Sequence, residues 1–81
     1  MMLHSAHLRA ARALLSWHQR DLAKKASIGL ATIQRLERGE GVLAAHVSTV
    51  LKLQNTLEKV GIRFIDQDDQ GGIGVRLKRG A

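Results

Sequence analysis

At 81 residues the chain is long enough for one small domain, and the absence of cysteine excludes a disulfide scaffold, a thiolate metal site and a thiol nucleophile. Of its net charge of +6, +5 accumulates by Arg38, where seven bases (Arg9, Arg12, Arg20, Lys24, Lys25, Arg35, Arg38) stand against Asp21 and Glu37, the footprint of a surface that lies on phosphates. No apolar run approaches the roughly 20 residues that span a bilayer, and no basic N-terminal segment leads into a long apolar core, so a soluble, unexported, cytoplasmic protein with no membrane partner is expected.

Met1 to Leu15 reads as an amphipathic helix with Leu8, Ala11 and Leu15 on the buried stripe, Arg9 facing away and Arg12 at the edge. His4 and His7 are spaced for a metal, but no cysteine or carboxylate lies nearby to complete a tetrahedral shell, so packing or solvent is the preferred reading. Trp17, in the link to the next helix, is expected to be a core wedge with its indole N–H at the rim. From Gln19 to Ala26, Leu22, Ala23 and Ala26 cluster on one side while Arg20, Lys24 and Lys25 lie elsewhere, which predicts a helix of about two turns. Ser27, Ile28 and Gly29 leave a tight turn, with Ile28 pinning the corner into the core. In the segment that follows, Ile33 and Leu36 point inward with Thr32 beside them, and Leu30, Ala31, Gln34, Arg35 and Arg38 share the opposite side. Gly39 ends this helix in the manner of a glycine at C′.

Glu40 to Val47 reads as a connecting loop, and Ser48 as the N-cap of a further helix carrying Val50, Leu53, Leu57 and Val60 on one side before Gly61 stops it. Leu51 falls off that stripe; it either fills a side pocket or marks a second apolar contact for dimerisation. Beyond Gly61 the period changes to two, with Ile62 and Phe64 alternating with Arg63, and Ile73, Val75 and Leu77 alternating with Gly74 and Arg76, across a polar turn from Asp66 to Gly72. This predicts a hairpin over residues 61–77. A two-stranded hairpin is marginal in water, so its apolar face must lie on the helices or meet another chain, and its open edges are available for pairing across a two-fold axis. The tail from Lys78 to Ala81 is basic and expected to fray.

The string from Gln19 to Gly39, QRDLAKKASIGLATIQRLERG, resembles the helix-turn-helix of the lambda-repressor and Cro-like (XRE) family. Gln19, Leu22, Ala23, Ala26, Ile28, Thr32, Ile33, Arg35, Leu36, Glu37 and Gly39 match its pattern in register. Ser27 stands where the turn usually has Gly, which poses the question whether it is left-handed, and Gly29 stands where the recognition helix usually has a Ser cap. The resemblance covers roughly residues 5 to 61 and implies a mainly α fold: four lambda-repressor-like helices, here followed by a C-terminal β-hairpin, in a single domain over residues 1–81 with its helix-turn-helix at 19–38. It further implies that Leu30, Ala31, Gln34 and Arg35 read bases, that Gln19 clamps a phosphate, and that Arg12 and Glu37 form a structural ion pair. Thr32, Arg38, Lys24 and Lys25 are the remaining phosphate candidates; guanidinium and amide forks suit guanine and adenine edges, whereas Leu30 and Ala31 suit thymine methyls or the sugar wall.

Nothing in the sequence supports catalysis. Ser5, Ser16, Ser27 and Ser48 sit in cap or turn positions, the glycines at 72, 74 and 80 form no phosphate loop, and Asp66, Asp68 and Asp69 lack the ligand spacing of a calcium loop. No cofactor or metal is expected. The sequence is read as a DNA-binding transcriptional regulator acting on a palindromic double-stranded operator as a homodimer, the hairpin being a candidate for its interface. The alternative is a DNA-binding antitoxin or adaptor whose main role is to bind a partner protein, such as a toxin or an antagonist.

Overall fold

The computed structural model describes residues 2–79, so Met1, Gly80 and Ala81, which the expected first helix and frayed tail include, lie outside the described residues. Four helices, α1 (Ser5–Leu15), α2 (Gln19–Ala26), α3 (Leu30–Arg38) and α4 (Val47–Lys59), precede strands β1 (Ile62–Ile65) and β2 (Gly74–Leu77). Leu8, Leu22, Ile33, Leu53, Leu57 and Ile62 form the fully buried centre, one or two from every helix and one from β1, so each amphipathic stripe ends on the same core. No helix among the described residues is long and apolar enough to cross a membrane.

The first helix begins at Ser5, later than the periodicity predicts. The preceding residues are extended: His4 bridges Val42, the Leu43 N–H donates to the Leu3 carbonyl at 2.9 Å, and Leu3 is buried. An extended chain lets Leu3 reach the core while its backbone is satisfied by the loop before α4, which one more helical turn would forfeit. The His7 ring then closes the start of α1. Its Nδ1 accepts the His4 N–H at 2.9 Å, so in the neutral ring Nε2 carries the proton and donates to the Ile65 carbonyl at 3.2 Å. The ring also meets Phe64 edge-on with centroids 5.5 Å apart. His7 is thus a buried fastener between α1 and β1, with both nitrogens occupied.

Two further boundaries depart from expectation. Ser48 is not the N-cap of α4; His46 is, with an extended backbone whose carbonyl accepts from Thr49 at 3.0 Å and Val50 at 3.1 Å. Those two bonds already start the helix at Val47, leaving Ser48 inside the first turn. Gly39 ends α3 but is extended (φ −71°, ψ 175°) rather than left-handed. A Cβ there would stand 3.4 Å from the Ser5 hydroxyl, at the edge of ordinary contact; that hydroxyl donates to the Leu36 carbonyl at 2.6 Å.

Strands β1 and β2 pair antiparallel with Ile62 opposite Leu77, Arg63 opposite Arg76, Phe64 opposite Val75 and Ile65 opposite Gly74. Strand β2 packs on α1 and β1 on α4, so most of the apolar face of the hairpin is covered by the chain's own helices, with Leu77 left exposed. In the connecting loop Asp68 accepts the Gln70 and Gly71 N–H groups and Asp66 accepts that of Gln67, which employs these carboxylates in fixing the turn.

Ser27 is left-handed (φ 55°, ψ 46°), as is Ser16 at the end of α1 (φ 57°, ψ 35°). A Cβ in that region is strained by roughly 1 kcal/mol, a penalty glycine escapes. Ser27→Gly should therefore raise unfolding stability by about 1 kcal/mol in chemical denaturation. Ser27→Ala, which keeps the Cβ, should gain nothing.

Candidate nucleic-acid interface

Helix α3 is divided lengthwise. Ile33, Leu36 and Glu37 are buried, Thr32 is half-buried, and Leu30, Ala31, Gln34, Arg35 and Arg38 are exposed along one continuous strip. Leu30, at 43% exposure, is a large apolar side chain presented at the leading end of that strip. Because α2 and α3 meet at the Ser27–Gly29 corner, the N-terminus of α2 stands beside this strip. Arg12, His18, Gln19, Arg20, Leu30 and Gln34 line one open groove there, and Arg9, Arg12, Gln19, Gln34, Glu37 and Arg38 line the adjoining one.

The orientation of α3 is set from its inner face. Glu37 is only 3% exposed, and its carboxylate receives the Arg12 guanidinium as a fork, Nε to Oε2 at 2.6 Å and Nη2 to Oε1 at 2.7 Å. The Gln19 amide donates to Oε1 at 3.2 Å, and Arg12 Nη1 donates to the Trp17 carbonyl at 2.9 Å. One buried acid therefore joins α1, the link after it, the start of α2 and the end of α3. The hydrogen bond to Glu37 raises the Arg12 pKa above its ordinary value; burial opposes this and the charge of Glu37 adds to it. With a folded-state pKa above the unfolded one, the contribution of the pair on the Arg12 side is present at every pH below the unfolded value. It fades only as pH climbs through the raised one.

The C-terminal carbonyls of α3, which have no partners within the helix, are taken up by α1. Ser5 holds that of Leu36, and the Arg9 guanidinium donates to those of Glu37 and Gly39. Arg9, placed by periodicity merely on an outward face, is thus a clamp on α3. Arg20 is the other residue that periodicity left without a role: it borders the groove beside Gln19, where a basic residue in the first turn of α2 was the available signal.

Other candidates lie apart or point elsewhere. Arg35 Nη1 reaches back to the Ala44 carbonyl at 3.4 Å, so the guanidinium rests along the loop before α4. Lys25 Nζ sits over the half-buried Trp17 ring, 5.7 Å from its centroid, and borders a groove shared with Lys52, Asn55, Thr56 and Lys59 of α4. Lys24 is exposed in the last turn of α2.

Two short helices joined by a three-residue corner, the second showing a polar and basic strip and anchored by a buried acid, are matched by a helix-turn-helix family model over residues 8–65. The chain belongs to the XRE-type helix-turn-helix family. The match runs from α1 to the end of β1, so the helix-turn-helix family accounts for the two-helix unit and for most of the scaffold that holds it. Family membership makes this a DNA-binding regulator in general terms. No curated protein matches the chain at significant similarity.

The buried acid gives a direct test of the anchor. Arg12→Met should lower stability by about 3 kcal/mol, because a buried carboxylate is left without its cation, while Arg12→Met combined with Glu37→Leu should recover most of the loss. Denaturation of both variants measures it.

Proposed function

We propose that the protein is a sequence-specific transcriptional regulator that inserts α3 into the major groove of a palindromic operator and acts there as a homodimer, by occupancy, in the cytoplasm beside the chromosome. The observation that carries this reading is the exposed strip of α3. It is long enough for about two turns of helix, it carries three forked side chains, and its back is fixed to the core through Glu37. Gln34 and Arg35 are proposed to read base edges, with Leu30 and Ala31 against thymine methyls or the sugar wall. For Arg35 this requires exchanging its long bond to Ala44 for the groove floor.

Phosphates are assigned to Gln19, Thr32 and Arg38, together with Lys24 and Arg20 at the flanks. The Nε2 of Gln19 is held by Glu37, so its amide stands fixed at the start of α2, beside backbone N–H groups that favour an anion. Lys25 takes a lesser part, since its ammonium already rests on Trp17. A second reading, an adaptor or antitoxin that chiefly binds another protein, draws on the apolar side chains left exposed at Val47 and Leu51.

Reading and holding are separable by mutation. Arg35→Ala should lower affinity for the selected operator by about 1 to 3 kcal/mol and relax discrimination at one guanine in each half-site, with little change on non-specific DNA. Arg38→Ala should instead weaken all sequences alike and flatten the dependence of log K on log salt by about one unit. Binding to operators substituted one base pair at a time, across a salt series, measures both; uniform weakening by Arg35→Ala would assign it to the backbone.

A further inference from the structure

Met2, Val42, Val47 and Leu51 are exposed by 64%, 43%, 71% and 51%, and they surround one shallow groove whose floor is Leu3, Leu43 and Val50. These four side chains alone present on the order of 400 Å² of apolar surface, about as much as the largest patch a small monomer ordinarily shows. Leu51 fills no pocket within the chain; it belongs to this surface. We propose that the groove is a two-fold interface, and that its occupant is a second copy of this chain.

Charge selects that occupant. Gly41 to Leu51 is the longest stretch of the sequence without Asp, Glu, Lys or Arg. A two-fold contact brings each surface residue towards its own counterpart or near it, so a chain of net charge +6 repels itself wherever basic surface is used. Apolar surface is self-complementary; basic surface is not. The hairpin, the rival surface, fails on both counts. Most of its apolar face is spent on α1 and α4, with Leu77 left exposed at the end, and its outer face sets Arg63 opposite Arg76.

Position agrees with charge. The loop that carries Val42 leaves directly from α3, and Arg35 touches it at Ala44. An axis through the patch therefore passes beside the C-terminal end of α3 in both copies. Half-sites one helical turn apart place each recognition helix about 17 Å from the axis, comparable with the roughly 13 Å length of α3 plus one side-chain reach. This part rests on the DNA-binding reading above; the self-association does not.

The area also sets the strength. Two copies would bury about 800 Å² from these side chains, roughly half of a standard interface, so the free dimer should be weak, with a dissociation constant in the micromolar range or above. DNA then completes the assembly by presenting two half-sites to two weakly associating copies.

Sedimentation velocity of the full chain without DNA tests the interface. The wild type should move from monomer towards dimer as concentration rises to about 0.5 mM, while Leu51→Glu and Val47→Glu, both at exposed positions, should stay monomeric with unchanged circular dichroism and melting temperature. A wild type that remains monomeric throughout, or variants that dimerise like it, would overturn the proposal. On DNA, Leu51→Glu should bind a single half-site as the wild type does and lose at least tenfold on the paired site. Loss of half-site binding by the wild type itself would count against the DNA reading, while the sedimentation result would still decide the interface.

Discussion

A buried carboxylate is tolerated only if its charge and its lone pairs are met, and Glu37 has both met by groups from two different parts of the chain, Arg12 of α1 and Gln19 of α2. That requirement is stricter than apolar packing. Leu22 or Ile33 would accept many small displacements of their neighbours, whereas the fork of Arg12 must meet both oxygens of Glu37 at once, at 2.6 and 2.7 Å. The pair therefore contributes less to raw stability, since desolvation offsets much of the attraction, than to fixing where α3 sits relative to α1 and α2. Because Gln19 shares the same carboxylate, the start of α2 and the exposed strip of α3 are positioned by one group.

The backbone at the same end of α3 is under similar control. Its terminal carbonyls are held by Ser5 and Arg9 of α1, while Leu3 and His4, just before α1, hold the loop that follows α3. Helix α1 thus grips α3 from within and from its exit. Its own far side carries β2, and His7 ties it to β1. The strip that faces outward is held in place largely by α1, whose Arg9 and Arg12 also border the grooves beside it.

Much of this was readable in the residues. The periodicities of α2 and α3, the stop at Gly61 and the alternation of the hairpin follow from side-chain spacing, and the register with the XRE string gave the helix-turn-helix over residues 19–38. What was not readable depended on partners far away in sequence. Nothing local says that His7 bridges to Ile65, that Leu3 is drawn out of a helix into the core, or that His46 displaces a serine as the cap of α4. Gly39 shows the same in miniature. Its type suggested a left-handed cap, but its backbone is extended, and a Cβ there would come up against the Ser5 hydroxyl arriving from α1. At the site, the exposure of the α3 strip was legible from 100° spacing, but the resting place of Arg35 on Ala44 and of Lys25 on Trp17 was not, because long side chains choose among contacts that only the fold creates.

The Arg63 and Arg76 pair has a consequence for the hairpin edges. A sheet of two strands leaves the outer rim of each open, and a rim with free N–H and C=O groups is a template on which strands of other copies can add without limit. Arginines facing one another across the ladder oppose this, since each added hairpin would bring a further pair of like charges to within about 5 Å of the last. Lys78 extends the same charge past the end of β2. The slight instability that two facing guanidiniums build into the hairpin thus acts as a guard against stacking into fibrils, and it is a guard that salt weakens, because at high ionic strength the screening length shrinks towards the spacing between strands.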